Sequence, residues 1–144
     1  MRKFQQGITL VELLVVVVII SILMTVAVPS YRQYAMRANR AEAKWNLLRI
    51  AAAQEKFYLQ NNTYADDDDF SDAPPNGLGI DATTESGLYT LSITAADATG
   101  FQAQALAEGG QTDDTDCDVF GIDDTGVRYG GPGPLGTGND PDCW

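Results

Sequence analysis

Polarity changes abruptly along the chain. "ITLVELLVVVVIISILMTVAV", from Ile8 to Val28, is apolar over 21 residues with Glu12 as its one charge. A helix of that length spans about 31 Å, the thickness of a hydrocarbon core. Pro29 follows, removing a hydrogen bond and crowding the Thr25 carbonyl, which predicts a helix kink. Residues 30–60 contain neither Gly nor Pro and are rich in Ala, Leu, Arg, Gln and Lys. They predict a continuing amphipathic helix. Tyr34, Ala38, Ala41, Trp45, Leu48, Ala52 and Leu59 fall near one stripe. That stripe is expected to meet a sheet, with Trp45 as the core anchor.

Beyond residue 60 the period shortens. "NNTYADDDDFSDAPPNGLG" is turn-rich, with Pro74-Pro75 and Asn76-Gly77 as breakers. Residues 88–94, 101–107, 117–123 and 126–130 read as short strands, the last two joined by the hairpin signal "DDTG". The expectation is an α+β fold: one long N-terminal helix, membrane half plus amphipathic half, packed on a small antiparallel sheet. The tail "GGPGPLGTGNDPDCW" has no period and is expected to be an irregular loop held by Cys143.

Charge divides the chain in the same places. Residues 1–60 hold eight basic side chains and three carboxylates, a net of +5; with −11 overall, residues 61–144 carry −16. Arg128 is the one basic residue in that stretch. Such a head repels polyanions, so no nucleic-acid partner is expected. The run Asp66–Asp69 reads as a solvated, flexible loop; it lacks the spaced acids and glycine of an EF-hand, and no metal is assigned. There is no histidine, which removes the commonest general base. With no G-x-S-x-G element or P-loop either, neither an enzyme nor a cofactor is expected. The two cysteines, Cys117 and Cys143, read as a disulfide and place the head in an oxidising compartment. Closing a loop of about 27 residues stabilises by roughly 3.5 kcal/mol in the chain-entropy model.

Glu12 needs an explanation, because a carboxylate in mid-membrane costs about 2.5–3.5 kcal/mol on insertion scales. A secretory signal peptide accommodates the basic Arg2 and Lys3. It does not accommodate an early acid, so long an apolar run, or the poor cleavage site "TVAVPS". A plain single-pass anchor leaves Glu12 unpaired. A third reading supplies a cation by cutting the chain just before the apolar run.

The short basic leader ending at Gly7, followed by "ITLVE" and the apolar span, resembles a type IV prepilin. The resemblance implies cleavage by prepilin peptidase between Gly7 and Ile8 and methylation of the new amine. An α-amino group is mostly cationic at neutral pH. Glu12 is then fifth in the mature chain and pairs with the N-terminus of a neighbouring subunit. The family more often has Phe at the first mature position, where this chain has Ile8. "QEKFYLQNNTY", "GLYTLSI", "CDVFGIDDTGVR" and the terminal "CW" are similar to minor pilins of the PilE type. The resemblance implies four segments: leader 1–7, transmembrane and assembly helix 8–28, stem helix 29–60 and disulfide-closed head 61–144. It also implies partners in other pilin subunits, in a homo- or heteropolymer. The chain would be an inner-membrane protein with a periplasmic head before assembly, and part of an extracellular pilus afterwards. The runner-up is a type II secretion pseudopilin. A surface-binding pilin, serving adhesion or DNA uptake, stands behind both.

Overall fold

A computed structural model describes residues 8–133 and 140–144. Gly7 and most of the Gly/Pro tail lie outside the described residues. The chain divides into two compact units, one up to Ala35 and one from Met36 onward. A single helix, α1 (Leu10–Asn61), contributes to both.

In the first unit α1 is a bare apolar rod. Every residue from Ile8 to Tyr34 is exposed, and the large apolar side chains between Ile8 and Val28 keep 46–80% of their surface. The helix runs through Pro29, whose missing N–H deprives the Thr25 carbonyl of its usual donor. Ser21 and Ser30 donate their hydroxyls to the Val17 and Val26 carbonyls at 2.7 and 3.1 Å. Both hydroxyls are thereby satisfied without water, as a hydrocarbon environment requires.

In the second unit α1 buries one face. Ala43, Leu47, Ile50, Gln54 and Phe57 are spaced by four, three, four and three residues and lie in the core. Gln54 is fully buried because its amide reproduces a backbone pair: Nε2 donates to Ala65 O at 2.7 Å and Oε1 accepts from Ala65 N at 2.9 Å. The helix ends at Asn61, and Asn62, with a φ of 56°, supplies the left-handed cap.

Four strands follow: β1 (Tyr89–Ala96), β2 (Phe101–Ala107), β3 (Val119–Asp123) and β4 (Arg128–Gly131). They form one antiparallel sheet in sequence order. One row of register partners crosses it, Leu91, Ala105, Phe120 and Gly130. Phe101, Ala103, Ala105 and Ala107 alternate inward on β2 and join the helix residues in the core. A 3-10 helix (Gly109–Asp113) links β2 to β3.

The expected antiparallel sheet is present, with shifted ends. Cys117 and Asp118 precede β3, and Gly126 (φ 78°) belongs to the hairpin turn instead of β4. The expected core stripe is on the wrong side of the helix. Trp45 is 68% exposed and Leu59 83%; Leu48 keeps 40%, and Tyr34, Ala38, Ala41 and Ala52 are all exposed. The buried face includes Arg40 and Gln54, polar residues whose partners come from distant loops. Counting apolar residues alone therefore selects the opposite face.

The acidic loop is also more ordered than its composition implies. Asp66 Oδ1 accepts from the Asp68 and Asp69 amides, closing a turn. Asp67 Oδ1 accepts from Ile93 N at 2.8 Å, at the β1 bulge. Phe70, Leu78 and Ile80 anchor the rest of the loop in the core. A Cβ on Gly77 would meet Asp69 O at 2.1 Å, so only glycine fits there.

Candidate functional site

The first site is the start of α1. Thr9 Oγ1 accepts a hydrogen bond from Glu12 N at 3.2 Å. Thr9-x-x-Glu12 thus forms half of a capping box, and Glu12 stands in the first turn, where the helix dipole favours an acid. The T-x-x-E spacing in the sequence is the local signal for this cap. Ile8 is 75% exposed, one residue before that cap. The helix is long and apolar enough to cross a membrane, with a mean hydropathy of 2.9 over its best 18-residue window. Pro29 lies inside it, among exposed neighbours.

The second site is the outer edge of the sheet. Cys117 and Cys143 are disulfide-bonded, with Cα atoms 5.6 Å apart, and both are buried. The bridge seats the C-terminus on β4: Asp140 N donates to Gly130 O at 2.6 Å, and Trp144 Nε1 donates to Tyr129 O. A Cβ on Gly130 would meet Cys143 Cβ at 2.6 Å and Trp144 Cδ1 at 3.0 Å, so this glycine makes room for the seat. Trp144 packs edge-on against Phe120, and Arg128 lies 5.3 Å from the Trp144 ring. The chain's end thereby occupies backbone acceptors that a bare sheet edge would present to other chains.

A third cluster fastens the stem to the 3-10 helix. Arg40 makes two parallel bonds of 2.7 Å to Asp114, and both side chains are largely buried. Gln111 Nε2 donates to Met36 O and to Asp114 Oδ2, while its Oε1 accepts from Asn39 Nδ2, each at 3.1 Å. The Asp114 hydrogen bond raises the Arg40 pKa above its ordinary value, against the opposing effect of burial. Tyr89 is fully buried, and burial, then the Asp114 charge, push its pKa well up. Its hydroxyl has no hydrogen-bond partner among the described residues. No local motif announces this cluster, because its two halves, residues 36–40 and 111–114, lie more than 70 residues apart.

Glu12 and Ile8 lie in one unit and the disulfide in the other. Among the described residues no group of three or more His, Cys, Asp or Glu side chains is arranged to hold a metal. Chemically, the molecule offers exposed apolar surface with a lone acid, and a tightly closed head.

Comparison with known proteins agrees with that division. Residues 2–28 match the prokaryotic N-terminal methylation motif. Residues 29–121 match the family described as type IV minor pilin ComP, DNA uptake sequence receptor. Type IV major pilin protein PilE1 of Neisseria gonorrhoeae is 31% identical over 109 residues, 76% of this chain and 48% of that protein. Type IV major pilin protein PilA of Myxococcus xanthus is 39% identical over 61 residues, 42% of this chain and 28% of that protein. The chain thus spans about half or less of the length of these curated relatives. The Neisseria meningitidis minor pilin PilV shares the fold, with a TM-score of 0.53 at 19% identity over 74% of this chain and 98% of that one. The relatives are structural pilins, not enzymes. Since the methylation motif and the ComP model together cover Arg2 to Gly121, the chain belongs to the type IV pilin family.

Proposed function

We propose that the chain is a structural subunit of a type IV pilus, of the minor class, processed between Gly7 and Ile8 by prepilin peptidase. The carrying observation is the exposed apolar helix from Ile8 to Val28 with Glu12 as its one charge, coinciding with the methylation motif. Before assembly this segment sits in the inner membrane with the head beyond it, the orientation that Arg2 and Lys3 favour. After assembly it leaves lipid for a bundle of neighbouring helices, in a filament outside the cell. Glu12 then requires a cation, and the methylated amine of an adjacent subunit's first residue supplies one.

Glu12→Ala is expected to insert, lose its leader and fold its head normally, yet fall by at least about tenfold in sheared filaments. Normal incorporation of that variant overturns the pairing.

The ComP description favours a second reading, in which the head captures DNA. The charge of residues 61–144 opposes it, because phosphate contacts need clustered Lys and Arg. A gel shift with duplex DNA at physiological salt decides between them. The first reading predicts no complex.

A further inference from the structure

The apolar run of α1 ends at Val28, and a different surface follows within two turns. Tyr31 and Tyr34 keep 72% and 74% of their surface. Three residues apart, they lie about 60° from one another round the helix and so share a side. Arg32 stands between them in sequence and is also exposed. Between Glu12 and Glu42 the helix carries no carboxylate. The stretch is therefore aromatic and cationic, with nothing anionic beside it on its own helix.

Its height past the apolar run selects the ligand. At 1.5 Å per residue, Tyr31, Arg32 and Tyr34 stand about 4.5, 6 and 9 Å beyond Val28. The headgroup layer of a bilayer occupies about 5–7.5 Å on each side of the hydrocarbon. Helix side chains lean toward the N-terminus, here back toward the apolar run, so Tyr34 reaches the same layer. A tyrosine suits that layer, with a ring that prefers apolar surroundings and a hydroxyl that stays wet. A guanidinium there can donate two parallel hydrogen bonds to a lipid phosphate. The next arginine, Arg37, belongs to the second unit and lines a cleft with Asp116, Asp140 and Asp142, so its charge faces carboxylates instead.

We propose that Tyr31, Arg32 and Tyr34 form an interfacial anchor that binds phospholipid headgroups on the head's side of the membrane and fixes how deep α1 sits before assembly. The inference rests on the reading of Ile8 to Val28 as membrane-inserted, and adds the residues that set its depth. About 32 Å of helix separates Tyr31 from Leu10, so an anchor at one headgroup layer brings the start of the helix to the other.

Spin-label depth measurements test this on the full chain with its disulfide intact. A nitroxide is placed at Gln33→Cys or at Val17→Cys, and the chain is reconstituted into vesicles of phosphatidylethanolamine and phosphatidylglycerol that hold no other protein. Collision with dissolved oxygen, against collision with a water-soluble nickel chelate, reads each label's depth. The Val17 label is expected in mid-hydrocarbon and the Gln33 label at the level of the phosphates. Tyr31→Ser with Tyr34→Ser should move the Gln33 label toward water by about one helical turn, about 5 Å. Arg32→Gln should move it the same way by less. All these positions are exposed, so head folding, followed by near-ultraviolet dichroism, should not change. A Gln33 label whose depth is unchanged or greater in either variant, with the Val17 label still in lipid, overturns the anchor and leaves insertion standing. A Val17 label open to water overturns the membrane reading, and the anchor with it.

Discussion

The two halves of α1 use the same secondary structure for different ends. From Leu10 to Ala35 no residue is buried; from Met36 to Asn61 five are, on one face. From Leu10 to Val28 the first half is apolar but for Glu12 and a few small hydroxyl residues, and every residue described there is exposed. Its helix is favoured because in lipid every backbone polar group must find a partner within the segment. The second half is held by tertiary contacts, chiefly a 3-4 spaced row of side chains against an alanine-lined strand. One half is therefore built for partners outside the chain and the other for its own head.

This contrast is open to measurement, and the largest expected effect is in the core. Leu47→Ala removes a fully buried side chain and should destabilise the head by about 3 kcal/mol, read by denaturant unfolding of the full chain in detergent. The matching change in the first half, Leu14→Ala, breaks the comparison if it costs the head as much. Gly130→Ala should cost about 2 kcal/mol by the same assay, because its methyl group collides with the disulfide-held Cys143. A smaller loss there would mean that the C-terminus is seated loosely.

A pH scan probes the hairpin between β3 and β4. Burial pushes the Asp123 pKa up, but hydrogen bonds from Thr125, Tyr129 and Val127 outweigh it and hold the value below normal. The sign follows from linkage. The stabilisation is present above the unfolded aspartate value of about 3.9 and is lost as pH falls through the lower folded value. Asp123→Asn should therefore flatten the fall in Tm on acidification below about pH 4. The smallest effect belongs to Trp45→Ala, which should change head stability by less than about 0.5 kcal/mol despite removing the chain's largest side chain from the stem. A core-sized loss would return Trp45 to the role its sequence pattern suggested.

The sequence was most informative where physics is local. An unbroken apolar run, the turn "DDTG" and the alternation of Phe101–Ala107 each follow from short-range rules, and the helix, the hairpin and β2 stand where those rules put them. It misled at Trp45, because the facing of a helix depends on what packs against it. Arg40 and Gln54 are acceptable in the core only through Asp114 and the Ala65 backbone, 74 and 11 residues away. The same distance hid the Gln111 cluster. Asp67 reads as a solvated acid from sequence because its acceptor role depends on the Ile93 amide on the free edge of β1, 26 residues away. At the N-terminus the match to the methylation motif was legible as the spacing of Gly7, Glu12 and the apolar run. The Thr9 cap was equally legible, and it adds a local reason for an acid at position 12.

The proposed pairing of Glu12 requires an amine that would exist only after cleavage between Gly7 and Ile8. Intact-mass and peptide mass spectrometry of the chain from sheared filaments tests this most directly. The account predicts a mature protein that begins at Ile8, carries one added methyl group on its α-amine and lacks two hydrogens for the Cys117–Cys143 bridge. A filament-borne chain that retains Met1 to Gly7, or that begins beyond Val28, would contradict it.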